Sequence, residues 1–227
     1  AQAAHDLVDH LSTEPRGTIK VSLPVSIAQN EMAKILPNIL KKYPEIKVQM
    51  MITNRRVDII NEGFDLALRV RSCLDDDPNL VIRQFEKIEQ HLFASQGYLN
   101  EFGDLKNPEQ LSEHKILSMA EDHPEQFLTL QNGQQEQKKI RVNPTVMGSD
   151  LNMLAQLAAS GSGVTLLPDN VVEHYISSGE LVRVLPDWKA PHGIFHAVYP
   201  SRRGLLPAVR VFIDYLVAEL NHDNLNT

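Results

Sequence analysis

A serine between two glycines, Gly161-Ser162-Gly163, is the nearest thing in this sequence to a nucleophile turn. A nucleophile elbow needs the spacing G-x-S-x-G, with a strand leading into the serine and a helix leading out. Here a helical pattern leads in and the strand-like VTLLP leads out, so the glycines read as a helix cap and a tight turn. His192 and His196 have i,i+4 spacing but lack the HExxH glutamate. They flank strand-like sequence, where that spacing holds two side chains too far apart to chelate one ion. Cys73 is the single cysteine, which excludes an intramolecular disulfide and any multi-cysteine metal site. With Asp75, Asp76 and Asp77 beside it, it reads as a loop cysteine rather than a redox sensor. The acidic run has neither the spacing nor the closing glutamate of an EF-hand. No GxxxxGK[ST] or GxGxxG phosphate cradle occurs. No catalytic residue, metal site or cofactor is predicted.

Residues suited to binding are better placed. Ser26 opens a long helical pattern directly after a strand and Pro24, and Thr53 and Asn54 stand at the equivalent turn of the next unit. Ser149 and Asp150 open a third helix. All are N-cap types, and capping alone could account for any one of them. Three such turns converging on a cleft would make a ligand site, because unpaired N–H groups and the helix dipole point into it. Arg69 and Arg71, at the end of a strand, could counter an anionic ligand, although surface placement is the plainer reading.

The elements that must position these residues follow from apolar spacing. Residues 4–11 form an amphipathic stub without a cap, which reads as the tail of a longer helix, closed by Glu14-Pro15-Arg16-Gly17. A strand at 18–23, a helix at 26–42, a strand at 46–52, a short helix at 57–61 ended by Gly63, and a buried strand at 64–70 give the βαβαβ order of an open parallel sheet. The run 81–95 is too long for one strand and is expected to cross between lobes near Ile88–His91. A second unit follows: a helix at 96–102, a strand at 115–120, a hairpin at Asn132-Gly133, strands at 139–143 and 145–148, and a helix at 150–160. A strand at 164–168, a helix at 169–177 and a strand at 180–186 complete it, and a return strand at 193–200 leads to the last helix at 207–220. Two α/β lobes joined by two crossing strands, with a cleft between them, is the expected architecture.

Composition narrows the function classes. The 227 residues are 42 % hydrophobic and only 6 % aromatic, so the core must be aliphatic. With 22 Lys+Arg against 29 Asp+Glu the net charge is −7, so the chain by itself lacks the basic face that grips nucleic acid. The Asn54-Arg55-Arg56 and Ser201-Arg202-Arg203 clusters are small and local. No apolar run approaches the roughly 20 residues of a membrane span, and the amino end lacks the pattern of a signal peptide. A reducing compartment is the expectation.

The stretches PRGTIKVSLP, LPNILKKYPEIKVQM, VDIINEGFDLALRV, LAASGSGVTLLPD, SGELVRVLPDW and AVYPSRRGLLPAVRVFIDYL, in that order, resemble the effector-sensing half of LysR-type transcriptional regulators over about residues 15 to 220. The resemblance implies a type 2 periplasmic-binding-protein-like α/β fold of two Rossmann-like subdomains joined by two crossover strands. On that pattern, residues 1–16 are the end of the linker helix, 17–88 with 193–227 form subdomain I, and 89–192 form subdomain II. It implies a small-molecule inducer, an anion among the candidates, bound in the interlobe cleft by Pro24, Val25, Ser26, Thr53, Asn54, Gly148, Ser149, Asp150, Leu167 and Pro168. It also implies a cytoplasmic homodimer or tetramer, paired through helix 26–42, strand 46–52 and helix 150–160, that is not an enzyme. Promoter DNA would be held only by a winged helix-turn-helix absent from this sequence. The alternative is a solute-binding protein of a transport system, which shares the fold.

Overall fold

A computed structural model describes residues 15–74, 77–119, 126–201 and 206–223. The amphipathic stub at 4–11, Asp75, Asp76, Arg202 and Arg203 lie outside the described residues. The chain divides into two compact units, Ala1–Glu86 with Ile194–Thr227, and Lys87–Gly193.

In the first unit, β1 (Gly17–Leu23) turns Ile19, Val21 and Leu23 inward. It pairs in parallel with β2 (Ile46–Ile52) along its whole length, from Gly17 opposite Ile46 to Leu23 opposite Ile52. On its other side it pairs in parallel with β3 (Leu66–Arg71), Val21 opposite Leu66. The sheet is completed by β13 (Gly193–Pro200), antiparallel to β3, and β4 (Leu80–Ile88), in the order β2-β1-β3-β13-β4. It is mixed rather than parallel, because the chain returns to it from the second unit.

The helix expected at 26–42 is in three parts: α1 (Val25–Ile27), a π-helical turn at Ala28–Met32, and α2 (Ala33–Lys42). The buried residues explain the widening. Ile27 and Met32 are five apart, more than an α-turn spans, whereas Met32, Ile35 and Ile39 follow at three and four. Ala33 N–H reaches back to the Ala28 carbonyl, and the extra residue brings Met32 onto the buried face. Leu40, one position beyond Ile39, is exposed.

No helix forms at 57–61. The segment is a turn, with Glu62 N–H on the Asp58 carbonyl and Phe64 N–H on the Ile59 carbonyl, both at 2.9 Å. Gly63 still ends it, at φ +71°, in the left-handed region that suits glycine. Asp58 and Glu62 draw the local N–H groups to their carboxylates, which competes with a helical ladder.

The long strand run breaks at Glu89, just inside the second unit, separating β4 from β5 (Gln90–Ala94). Next come α3 (Gln96–Phe102), a 3-10 turn at Pro108–Glu113, β6 (Ile116–Met119), β7 (Gln126–Asn132), β8 (Gln137–Val142) and β9 (Pro144–Gly148). They are followed by α4 (Leu151–Ala159), β10 (Val164–Pro168), α5 (Asp169–Ser177), β11 (Val182–Val184) and β12 (Trp188–Lys189). The main sheet has the order β11-β5-β10-β6-β9, and β12-β7-β8 form a small second sheet. Leu92, Tyr98, Ile116 and Val164 belong to one buried cluster, and Phe93, Leu117, Leu154 and Leu167 to another. In the hairpin after Asn132, the Asn132 Oδ1 accepts from the Gln134 and Glu136 N–H groups at 3.0 Å. That cap places the left-handed residue at Gln135, φ 63°, rather than at Gly133. Helix α6 (Pro207–Asp223) packs on α2 and β1 of the first unit, burying Val209, Phe212 and Leu216.

Candidate functional site

Two strand ends in the first unit are tied together by backbone geometry. Because β1 and β2 are parallel and in full register, Leu23 and Ile52 end side by side, and Thr53 N–H continues the ladder to the Leu23 carbonyl at 2.8 Å. Pro24, extended at φ −64°, starts α1 without a side-chain cap. Val25 N–H, one of the orphan donors of that first turn, is taken by Asn54 Oδ1 at 3.2 Å. Thr53 Oγ1 accepts from Arg55 N–H at 3.2 Å, which fixes the second turn.

These bonds frame a narrow recess of about 10 Å³, room for one water-sized group. Pro24, Thr53 and Asn54 line it; Val25 and Ser26 do not. Ser22, Arg55, Arg69 and Arg71 line it as well. The two arginines of β3 overturn the surface reading. Arg69 is only 5 % exposed and donates from Nη2 to the Val57 carbonyl at 3.1 Å; Arg71 is half-buried and donates from Nη1 to the Val70 carbonyl at 2.9 Å. The available signal was the strand itself, since a run buried on both faces carries its arginines inward. A polar recess lined by three arginines, Arg55, Arg69 and Arg71, is suited to one anionic oxygen of a ligand, because arginine offers a planar fork of donors to carboxylate or phosphate.

In the second unit, Asp150 is an N-cap. Its Oδ1 accepts from Asn152 N–H at 2.9 Å and Met153 N–H at 3.4 Å. Ser149 is exposed, and Gly148 is half-buried at the end of β9. A Cβ on Gly148 would come within 2.5 Å of Met153 Cε, so glycine lets that methionine lie over the strand end. Leu167 is fully buried, backbone included, beside Phe93 and Leu117. Pro168, also buried, precedes α5, whose first residue Asp169 meets His91 Nδ1 at 3.0 Å and Arg183 Nη2 at 3.2 Å. Close by in sequence, Glu89 pairs with Lys189 at 2.7 Å, and the Lys189 ammonium holds its carboxyl below the usual range.

The catalytic candidates fall into structural roles. Ser162 N–H bonds the Leu157 carbonyl and Gly161 N–H the Ala158 carbonyl, both at 3.0 Å, closing α4. At Gly163 a Cβ would stand 2.4 Å from the Lys115 carbonyl oxygen, so close strand approach explains that glycine. His196 is fully buried, its Nδ1 2.8 Å from the Ile194 carbonyl. Cys73 is exposed. Among the described residues no group of three or more His, Cys, Asp or Glu could hold a metal ion, and no helix is long and apolar enough to cross a membrane.

The mixed sheets and the order of elements define the type 2 periplasmic-binding-protein-like class of ligand-binding α/β domains. The regulatory domain of AphB from Vibrio vulnificus superimposes with a TM-score of 0.77 at 30 % identity, covering 89 % of this chain and 99 % of that one. The CrgA regulatory domain from Neisseria meningitidis, a LysR-type transcriptional regulator, gives 0.80 at 26 % identity, covering 91 % and 100 %. An HTH-type transcriptional regulator of Xanthomonas campestris pv. campestris (strain 8004) is 31 % identical over 225 residues, 98 % of this chain. The chain spans 65 % of that relative's length. Residues 12–221 match the LysR substrate binding domain, and the chain belongs to that family. It is the effector-binding domain of LysR-type regulators, and its relatives are transcription regulators rather than transport proteins.

Proposed function

We propose that this domain senses a small anionic effector at the strand-end turns and, without catalysing a reaction, passes the signal to a promoter-binding segment outside this sequence. The observation that carries the reading is the recess where Pro24, Thr53 and Asn54 meet Arg69 and Arg71, closed by the Val25 to Asn54 bond. Ser26, next to the bonded Val25, and the turns Gly148–Asp150 and Leu167–Pro168 of the second unit are the further contacts in this reading. Binding acts by favouring one state of the domain or its oligomer over another. The working form is a cytoplasmic homodimer or tetramer, paired through helix 26–42, strand 46–52 and helix 150–160. Exposed Leu40, Met50, Met51, Ile52 and Met153 on those elements support this pairing. The transcription-regulator relatives support DNA as the final partner and the cytoplasm as the location.

A thermal-shift screen against small organic acids, aromatic acids, amino acids and sugars tests the sensor. A ligand at 100 times its Kd stabilises by about 2.7 kcal/mol, a shift of several degrees for a domain of this size. The shift is expected to shrink in Thr53→Ala and Ser26→Ala while the ligand-free melting temperature holds. Full retention of the shift in both variants would place the effector elsewhere.

A further inference from the structure

We propose that the first unit carries a second small-molecule site, a groove under the 56–60 turn that takes an aliphatic α-amino acid as a zwitterion. The groove has a volume of about 260 Å³ and shares only Val57 and Arg69 with the recess at the strand ends. That is below the roughly 300–1,000 Å³ of pockets for drug-sized molecules, so its occupant is small. Its floor is apolar: Val57 and Ile59 are 4 % and 2 % exposed in a cluster with Phe64, Ala67 and Val198, and Leu80 packs on them.

Both signs of charge stand on its walls. Arg56 and the buried Arg69 bring guanidinium groups, and five N–H donors on each allow a carboxylate beside their existing partners. Asp77 takes Asn79 N–H and Nδ2 on Oδ1, at 2.9 and 3.1 Å, which leaves Oδ2 to an ammonium. Asp58 also lines the groove, and its bonds from Asn61 hold its carboxyl below the usual range, hence charged. A simple carboxylate would meet both acids as well as both arginines; a zwitterion complements all four.

The groove is also built in advance. Arg55 clamps Glu62 through two bonds of 3.0 and 2.6 Å, and Glu62 Oε1 accepts from Asp58 N–H at 2.8 Å. A ligand therefore does not have to order the turn on binding.

Three probes with one carbon skeleton separate the contributions: L-leucine, 4-methylpentanoate, which lacks the ammonium, and 3-methylbutylamine, which lacks the carboxylate. Methyl-labelled protein is titrated with each and followed by NMR. L-leucine is expected to shift the Val57, Ile59 and Leu80 methyl signals saturably, with each truncated probe at least about tenfold weaker. Arg56→Ala and Asp77→Asn, both at exposed positions, are each expected to weaken L-leucine by a similar factor while leaving the melting temperature unchanged. The absence of a saturable shift with L-leucine overturns the site. Equal binding of 4-methylpentanoate overturns the zwitterion. Shifts centred on the Thr53 and Leu68 methyl signals instead would show L-leucine in the effector recess, which overturns the groove and leaves the sensor reading standing.

Discussion

Arg69 and Thr165 are both buried polar side chains on central strands, and they differ in what they cost. Arg69 keeps a bond to the Val57 carbonyl, so its burial brings a cation to the recess with a partner in place. Thr165 is 1 % exposed on β10, opposite Phe93 and Leu117, and its Oγ1 has no partner among the described residues. A buried hydroxyl without a bond forfeits its hydration and gains nothing in return. Thr165→Val keeps the branched shape and removes that penalty, so the variant is expected to be more stable by about 1 kcal/mol. Urea unfolding of the two proteins checks it, and a lower midpoint for the variant would mean that the hydroxyl is bonded after all. The apolar runs FDLALRV and VTLLP mark both strands as buried, but whether the polar side chain on each finds a partner is decided by the neighbouring segments of the fold.

At the scale of elements, strands and helices were legible wherever apolar spacing was unambiguous. The strand at 46–52, the helix at 96–102, the strand at 164–168 and the helix at 169–177 stand where their patterns put them. The misreadings have local causes. Val57, Ile59 and Ile60 suggest a helical turn, but Arg55, Asp58 and Glu62 satisfy the backbone through side chains and hold the segment as a loop. Ser26 stands at the expected turn yet is outside the recess, because α1 is three residues long and then widens. The loop clamp should respond to acid. The Arg55 guanidinium, with help from Asp58 N–H, holds the exposed Glu62 carboxyl down to about 2. Its folded value is below its unfolded one, so the support is complete above the ordinary value of 4.5 and is lost as pH falls from there towards 2. Hydrogen exchange of Asp58 N–H, corrected for intrinsic rate, is expected to lose protection across that window. Glu62→Ala, which removes the acceptor of Asp58 N–H, should lack that protection at neutral pH and show no acid step; a step that persists in the variant would assign the titration to another group.

For the whole molecule, the decisive feature is an edge. Strand β2 ends the first unit's sheet, and Met50, Met51 and Ile52 on it are 39 %, 43 % and 52 % exposed. Successive residues of a strand face opposite ways, so both faces of this edge present apolar side chains. An open edge with apolar flanks is a template for pairing with another chain unless something covers it. Lys47 is the only charge on the strand, at the end away from the methionines. In the homodimer or tetramer proposed above, a second copy of the domain is the cover. Ile52→Glu places a charge on the most exposed of the three and disturbs little of the buried core. It is therefore expected to lower the sedimentation-equilibrium mass from that of an oligomer to that of a 25.6 kDa monomer, with the melting temperature of the monomer's own core retained. An oligomer mass unchanged by the substitution would move the pairing surface away from β2. A wild-type chain that sediments as a monomer would leave the edge uncovered, and assembly would then depend on segments outside this sequence.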